Sequence, residues 1–193
     1  MYIGEDIIEH LAEKYGLPEC WHTDVLCYPD EFGMISASQR DGRNHDVTVY
    51  IRKGEKLVVN AKHFYPPGLY RAPSGGVHRN ENFLAGVYRE MFEETGCEIE
   101  LKRFLLRTDV SFYKMMPDAE IINEERINWR SLVFLADFVK GDFKFSDHHE
   151  IREVALVNWA DFDAFSRIMR RTAIGGFHYR AALHDQVRRI MSE

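Results

Sequence analysis

The sequence of 193 residues predicts an α/β protein with helices on a mixed sheet. Three observations carry that assignment. Stretches of helical and of strand period follow one another in the order helix, strands, helix, strands, helices. The run RSLVFLADFVKG is almost continuously apolar and of strand length, as expected of a central strand buried on both faces. Two final segments, WADFDAFSRIMRR and FHYRAALHDQVRRIM, have helical periodicity and should cover the sheet.

Taken in order, Glu5 to Tyr15 places Ile7, Ile8, Leu11 and Ala12 on one helical face, with Gly16 as the stop. This stripe suits packing or a homodimer contact and offers no convergent ligand groups. The stretch onward to Asn44, including CWHTDVLCYPDEFG and the polar SQRDGRN, is turn-rich and reads as a short strand or two and a loop. Residues 1–40 are therefore treated as an N-terminal helical extension on a single domain of residues 1–193. His22 and His45 could be ligands, but isolated histidines in such segments are more often surface or hydrogen-bonded structural residues. From Asp46, DVTVYIR and KLVVNAKHF alternate around the turn KGEK and predict a hairpin that feeds PPGLYRAPSGG. Within that connection Arg71 could meet a phosphate or pair with an acidic neighbour, and Tyr65 or Tyr70 could stack on a base.

The next stretch, GGVHRNENFLAGVYREMFEETGC, organises the rest. Glu90, Glu93 and Glu94 are related by three- and four-residue steps, so a helix places them on one face. Three carboxylates so close repel unless a cation neutralises them, and an all-oxygen set suits Mg²⁺ or Mn²⁺ better than zinc. Phe83, Leu84, Val87 and Met91 form the buried stripe of the same helix, Asn80 or Asn82 caps its start, and Gly96 is the expected left-handed residue at its end. A solvated acidic helix face is the bland alternative. It does not account for a glycine loop and an arginine at these intervals.

From Gly75 to Cys97 the spacing resembles the Nudix box, G-x5-E-x7-R-E-U-x-E-E-x-G-U with U a bulky aliphatic, and all seven fixed letters match. A chance match has odds on the order of 10⁻⁸ per start position. Met91 and Cys97 stand where a branched aliphatic is usual, which touches packing and not chemistry. The resemblance implies a Nudix-type α/β/α sandwich with a mixed sheet. It also implies metal-dependent hydrolysis of a diphosphate linkage in a nucleoside diphosphate joined to another moiety. It assigns Glu90, Glu93, Glu94 and the main-chain carbonyl of Ser74 to the metal, Arg89 to orienting a neighbouring glutamate, and Glu81 to a peripheral role. Glu90, Glu93 and Arg89 are thus counted among the catalytic group, and Arg71 and Tyr70 among the substrate contacts. Nudix enzymes commonly add a carboxylate from a later loop, as general base or metal ligand. Here Asp147, Glu150 and Glu153 compete, and Glu150 is the choice, ahead of the exposed-looking pair His148 and His149. Two other readings compete: a non-catalytic nucleotide-binding regulator, which would usually lack a box glutamate, and an isoprenoid-diphosphate isomerase, which needs a catalytic cysteine where Cys97 is a packing residue.

After the box, EIELKRFLLRTDVSFYK should supply strands and MMPDAEIINEERIN a polar loop over the site. Tyr113 and Pro117 are only loosely like the positions that sort subfamilies, so the substrate is not fixed by the sequence. A helical pair separated by Gly175-Gly176 closes the chain. The formal charge of −6 gives no basic footprint for duplex nucleic acid. No apolar run approaches the ~20 residues of a membrane helix. Three cysteines without zinc-like or CxxC spacing, Cys20, Cys27 and Cys97, are expected reduced and buried, so the compartment reads as cytosol.

Overall fold

The computed structural model describes residues 3–115 and 121–192. In chain order the elements are α1 (Glu5–Tyr15), β1 (Glu19–Cys27), α2 (Pro29–Arg40), β2 (His45–Lys53), β3 (Lys56–Lys62), β4 (Ser74–Gly75), α3 (Phe83–Thr95), β5 (Cys97–Met115), β6 (Ile121–Gly141), β7 (Ile151–Val157), α4 (Asp161–Arg170) and α5 (Gly175–Ser192). Among the described residues the strands form one sheet in the order β1-β5-β6-β2-β3-β7, with the short β4 paired to β2. β1 runs parallel to β5 and β2 parallel to β6, whereas β5–β6, β2–β3 and β3–β7 are antiparallel. The sheet is therefore mixed, and β6, the predicted central strand, lies between an antiparallel and a parallel neighbour.

Alternation along the strands builds a core on each face. Val47, Val49 and Ile51 of β2 meet Ile8 and Leu11 of α1 and Phe83, Val87 and Met91 of α3 on one side. Tyr50, Val59 and Ala61 meet Phe32 of α2, Phe162 and Phe165 of α4, and Leu183 and Val187 of α5 on the other. This is the three-layer α/β/α arrangement. The apolar stripe of α1 is consumed inside the chain, and Glu5 ties the helix to the sheet through Arg107 (2.6 Å) and Arg130 (2.9 Å). Among the described residues no helix is long and apolar enough to cross a membrane.

Four expectations need correction. The stretch up to Asn44 holds the expected strand, β1, but in place of the expected loop it forms a second helix, α2, which starts at Pro29 and buries Phe32 against the core beside Val25 and Cys27. The polar stretch expected as a loop over the site is strand from Ile121 onward, paired antiparallel with β5, and Glu125 is exposed and pairs with Lys114 at 3.1 Å. Pro117 lies outside the described residues. Gly175 and Gly176 do not separate the last two helices; they begin α5, where their N–H groups donate to the Glu31 carboxylate. A Cβ at Gly175 would overlap the backbone of Leu26, which explains the glycine. Finally, Cys27 and Cys97 are buried and free as expected, but Cys20 is exposed.

Candidate active site

The site is assembled where α3 meets the loop at β4. Asn82 caps α3 by accepting from Ala85 N–H at 3.1 Å, and Gly96 ends it in the left-handed region at φ 68°. These signals fix which turn of the helix faces the sheet. As a result Glu94 is 3% exposed, Glu90 is partly buried and Glu93 is half-exposed.

Glu94 is held from three directions. Its Oε2 accepts from Asn60 Nδ2 of β3 at 2.7 Å and from the Ser74 N–H at 3.0 Å, while Oε1 pairs with Arg71 Nη2 at 3.2 Å. Arg71, 2% exposed, also donates to Ser74 Oγ at 2.6 Å and to the Ser74 carbonyl at 3.3 Å. Of the two roles considered for Arg71, the structure therefore supplies the acidic partner. Tyr70 does not join it: its ring packs on Phe165 on the opposite side of the sheet, because alternation that sends Arg71 to the α3 side sends Tyr70 away, while the Tyr65 ring packs on Phe177.

Arg89 gathers the other carboxylates. Its Nε and Nη2 form a fork on Glu81, each at 2.9 Å, while Nη1 bonds Glu90 at 2.9 Å and Glu93 at 3.0 Å. Glu81, which also accepts from His78 N–H, is held down to about pH 2 in its titration by this fork. Glu90 behaves oppositely: burial raises its proton affinity against the pull of Arg89, with the charge of Glu94 adding to the rise and that of Arg43 opposing it. Its carboxylate rests over Gly75, where a Cβ would lie 2.8 Å from Glu90 Cγ. Arg71 and Arg89 thus neutralise part of the acidic cluster, contrary to the expectation that only a metal could, yet four glutamates face two arginines.

Among the described residues no three His, Cys, Asp or Glu side chains are gathered closely enough to hold a metal by themselves. Glu94 is drawn into the sheet, and Glu90 and Glu93 lean to Arg89. The Glu90 carboxylate nonetheless approaches the backbone at Gly75, next in sequence to the Ser74 carbonyl, so the donors offered there are oxygen. Such a set fits a hard divalent cation.

The loop after β6 docks on the end of α3, with Ser146 and Asp147 N–H groups both donating to the Glu93 carbonyl at 3.0 Å. Asp147 is occupied in capping Glu150 N–H at 3.1 Å, and Glu153 is bound by Arg152 at 2.9 Å. Glu150 forms an ion pair with Lys62, the last residue of β3. Burial pushes Glu150 towards protonation, but Lys62, reinforced by Arg71 and Arg43, outweighs it and holds the carboxyl below the usual range. His45 is buried and accepts from Val77 N–H at 3.3 Å, a structural role, while His148 and His149 are exposed.

Sequence reasoning passed over Asn60, Lys62 and Arg43. The first two were read only as hairpin residues, although alternation from Val58 would have put both on the α3 face. Arg43 sat in a stretch without period.

A three-layer sandwich with an acidic helix closing on a glycine loop defines a phosphate-handling α/β class rather than a single protein. The NUDIX domain matches residues 42–177. The chain belongs to the Nudix hydrolase family. Its relatives include the NAD-capped RNA hydrolase NudC of Haemophilus influenzae, 29% identical over 148 residues that cover 75% of this chain and 45% of that protein. Nudix hydrolase 8 of Arabidopsis thaliana is 28% identical over 175 residues, covering 80% and 46%. The chain thus spans under half the length of the curated relatives it matches. Among solved structures, a UDP-X diphosphatase aligns with TM-score 0.53 at 13% identity, covering 83% of this chain and 70% of that one. A NUDIX hydrolase from Nitrosomonas europaea aligns with TM-score 0.50 at 16% identity, covering 78% and 88%. These likenesses concern the fold.

Proposed function

We propose that the protein hydrolyses a diphosphate linkage in a nucleoside diphosphate joined to another moiety. The observation that carries this reading is the approach of Glu90 to Gly75, next to Ser74, within a segment from Gly75 to Cys97 in which every fixed position of the box is filled. Glu90, Glu93, Glu94 and the Ser74 carbonyl would hold Mg²⁺, or Mn²⁺ in its place. Such an ion neutralises phosphate oxygens and lowers the pKa of a bound water.

The chain's own residues have separable tasks. Asn60 and Arg71 fix Glu94 and, through it, the Ser74 backbone. Arg89 holds Glu90 and Glu93 along one side of the helix through its Nη1 hydrogen bonds. Glu150, ionised at neutral pH and adjoining Lys62, is the general base, and it takes a proton from the attacking water once it parts from Lys62. A complete set of box glutamates gives no support to the non-catalytic regulator. Burial raises the Cys97 thiol pKa and leaves it unsuited to isomerase chemistry.

For the substrate, similarity to the NAD-capped RNA hydrolases favours an NAD-type diphosphate linkage over nucleoside triphosphates. A panel of NADH, ADP-ribose, UDP-sugars and NAD-capped RNA with Mg²⁺, scored for nucleoside monophosphate release, tests the reading. No release from any member would overturn it. A reducing cytoplasmic setting is consistent with three free cysteines.

A further inference from the structure

Arg43 lies one residue beyond the glycine turn that ends α2. Gly42 takes φ 88°, and the Arg43 N–H donates back to Ser38 O at 2.9 Å, so the side chain leaves the turn in a set direction. That direction is across the Gly75-Gly76 loop. A Cβ at Gly76 would stand 2.5 Å from Arg43 Cζ, so the guanidinium occupies the space that a side chain at Gly76 would fill. The adjacent glycine, Gly75, receives the Glu90 carboxylate in the same manner. Two neighbouring glycines thus carry opposite charges, one on each.

The guanidinium is held but not neutralised. Its Nε donates to the His45 carbonyl at 3.2 Å, and its Cζ lies 5.9 Å from the centre of the Trp129 ring. Trp129 is in turn anchored by Nε1 donating to Asp46 Oδ1 at 3.3 Å, an oxygen that Ser131 Oγ also bonds. Among the described residues no carboxylate lies within ion-pair distance of Arg43, whereas Arg71, Arg89, Arg107, Arg130 and Arg152 all have one. Its field nevertheless reaches both Glu90 and Glu150. A half-buried arginine without a carboxylate, stacked on an indole and lying on a glycine beside acidic groups, is arranged to receive an anion in its fork.

We propose that Arg43 binds the diphosphate oxygens of the substrate across the Gly75-Gly76 loop from the box carboxylates, with Trp129 as its positioning residue. The proposal rests on the reading of the site as a diphosphate hydrolase. It divides the work: the acidic helix meets the phosphates through a cation, and Arg43 meets them directly from the opposite side.

The test is titration of the full chain, with Mg²⁺, against α,β-methylene-ADP, a nucleoside diphosphate whose bridge cannot be hydrolysed. Arg43→Ala should weaken binding about tenfold to a hundredfold, the scale of a charge-assisted hydrogen bond. Arg43→Lys should recover part of that loss, and the melting temperature should stay close to the wild type. In turnover the defect should fall mainly on KM. If Arg43→Ala does not fold, Arg43→Gln, which keeps a donor for the His45 carbonyl without the charge, carries the same comparison with Arg43→Lys. Wild-type affinity in Arg43→Ala or Arg43→Gln overturns the proposal while leaving the hydrolase reading intact. A wild-type protein that neither binds the probe nor releases monophosphate from any substrate overturns both.

Discussion

Asn60 and Glu94 are joined by a buried hydrogen bond of 2.7 Å that fastens β3 to the box helix, and Arg71 completes the fastening on the other oxygen at 3.2 Å. Glu94→Gln therefore does two things. It should lower kcat by at least 10²-fold, the scale of a lost charge-stabilising group. It should also destabilise the apo protein by about 3 kcal/mol, because Arg71 is left buried without its carboxylate. The intuition that removing one of three repelling glutamates relieves the helix does not apply at this position. Urea denaturation without metal measures it, and a midpoint equal to or above the wild type would refute the ion-pair account.

Turnover should require a divalent cation. Excess EDTA should abolish it, and added Mg²⁺ should restore it and raise the melting temperature, since a ligand bound only by the folded state stabilises by mass action. Undiminished activity in EDTA would remove the carboxylate cluster from the chemistry.

Glu150→Gln separates a base from a bystander. The expected outcome is a kcat reduced 10²-fold or more with KM changed by less than about threefold. Lys62→Ala should leave more than about a tenth of kcat, because Lys62 is assigned to no step. Near-normal kcat in Glu150→Gln, with a collapse in Asp147→Asn or Glu153→Gln, would move the role to that neighbour.

His184 provides a pH signature away from the site. It is buried and hydrogen-bonded through Nδ1 to Tyr50 Oη at 2.5 Å, and burial depresses its pKa from 6.5 to about 3. The unfolded chain takes up the proton first, so this contribution to stability is complete above pH 6.5 and is lost as pH falls towards 3. His184→Gln, which keeps an acceptor for Tyr50 but does not titrate, should show a shallower decline of stability across that range. Parallel curves would exclude His184 as the source.

Gly96→Ala should be among the costlier single changes in the chain. The position has φ 68°, and a Cβ there would stand 2.6 Å from Lys144 O. Left-handed strain of about 1–2 kcal/mol would be joined by displacement of the loop that carries Glu150. A fall in both melting temperature and kcat is expected, and an unchanged kcat would indicate that the loop re-docks.

What the sequence disclosed follows from how far each signal acts. The box helix, its caps at Asn82 and Gly96, and its buried stripe were legible because capping and period are local. So were the β2–β3 hairpin and β6. The partners of the site residues were not, since Asn60, Arg71 and Lys62 reach the carboxylates only through strand pairing, and Arg71 and Tyr70 part company because alternation decides which face each takes. The first 40 residues hid a helix, α2, because it buries only Phe32 and so shows little apolar period. Arg43 escaped notice because its position is set by a turn whose meaning depends on Gly76 and Trp129, far away in sequence.

The parallel pairing of β1 with β5, and of β2 with β6, bears on how the chain reaches this state. β5 and β6 form an antiparallel hairpin that can zip without outside help, but Glu19 must wait for Leu106 and His45 for Arg130. Loop closure over such separations is entropically slow, so the hairpin should form first and serve as the template on which the earlier strands dock. During synthesis from the N-terminus, α1, β1 and α2 would emerge well before the surface they cover. The contact of Arg43 with Gly76 would then be among the last features to form.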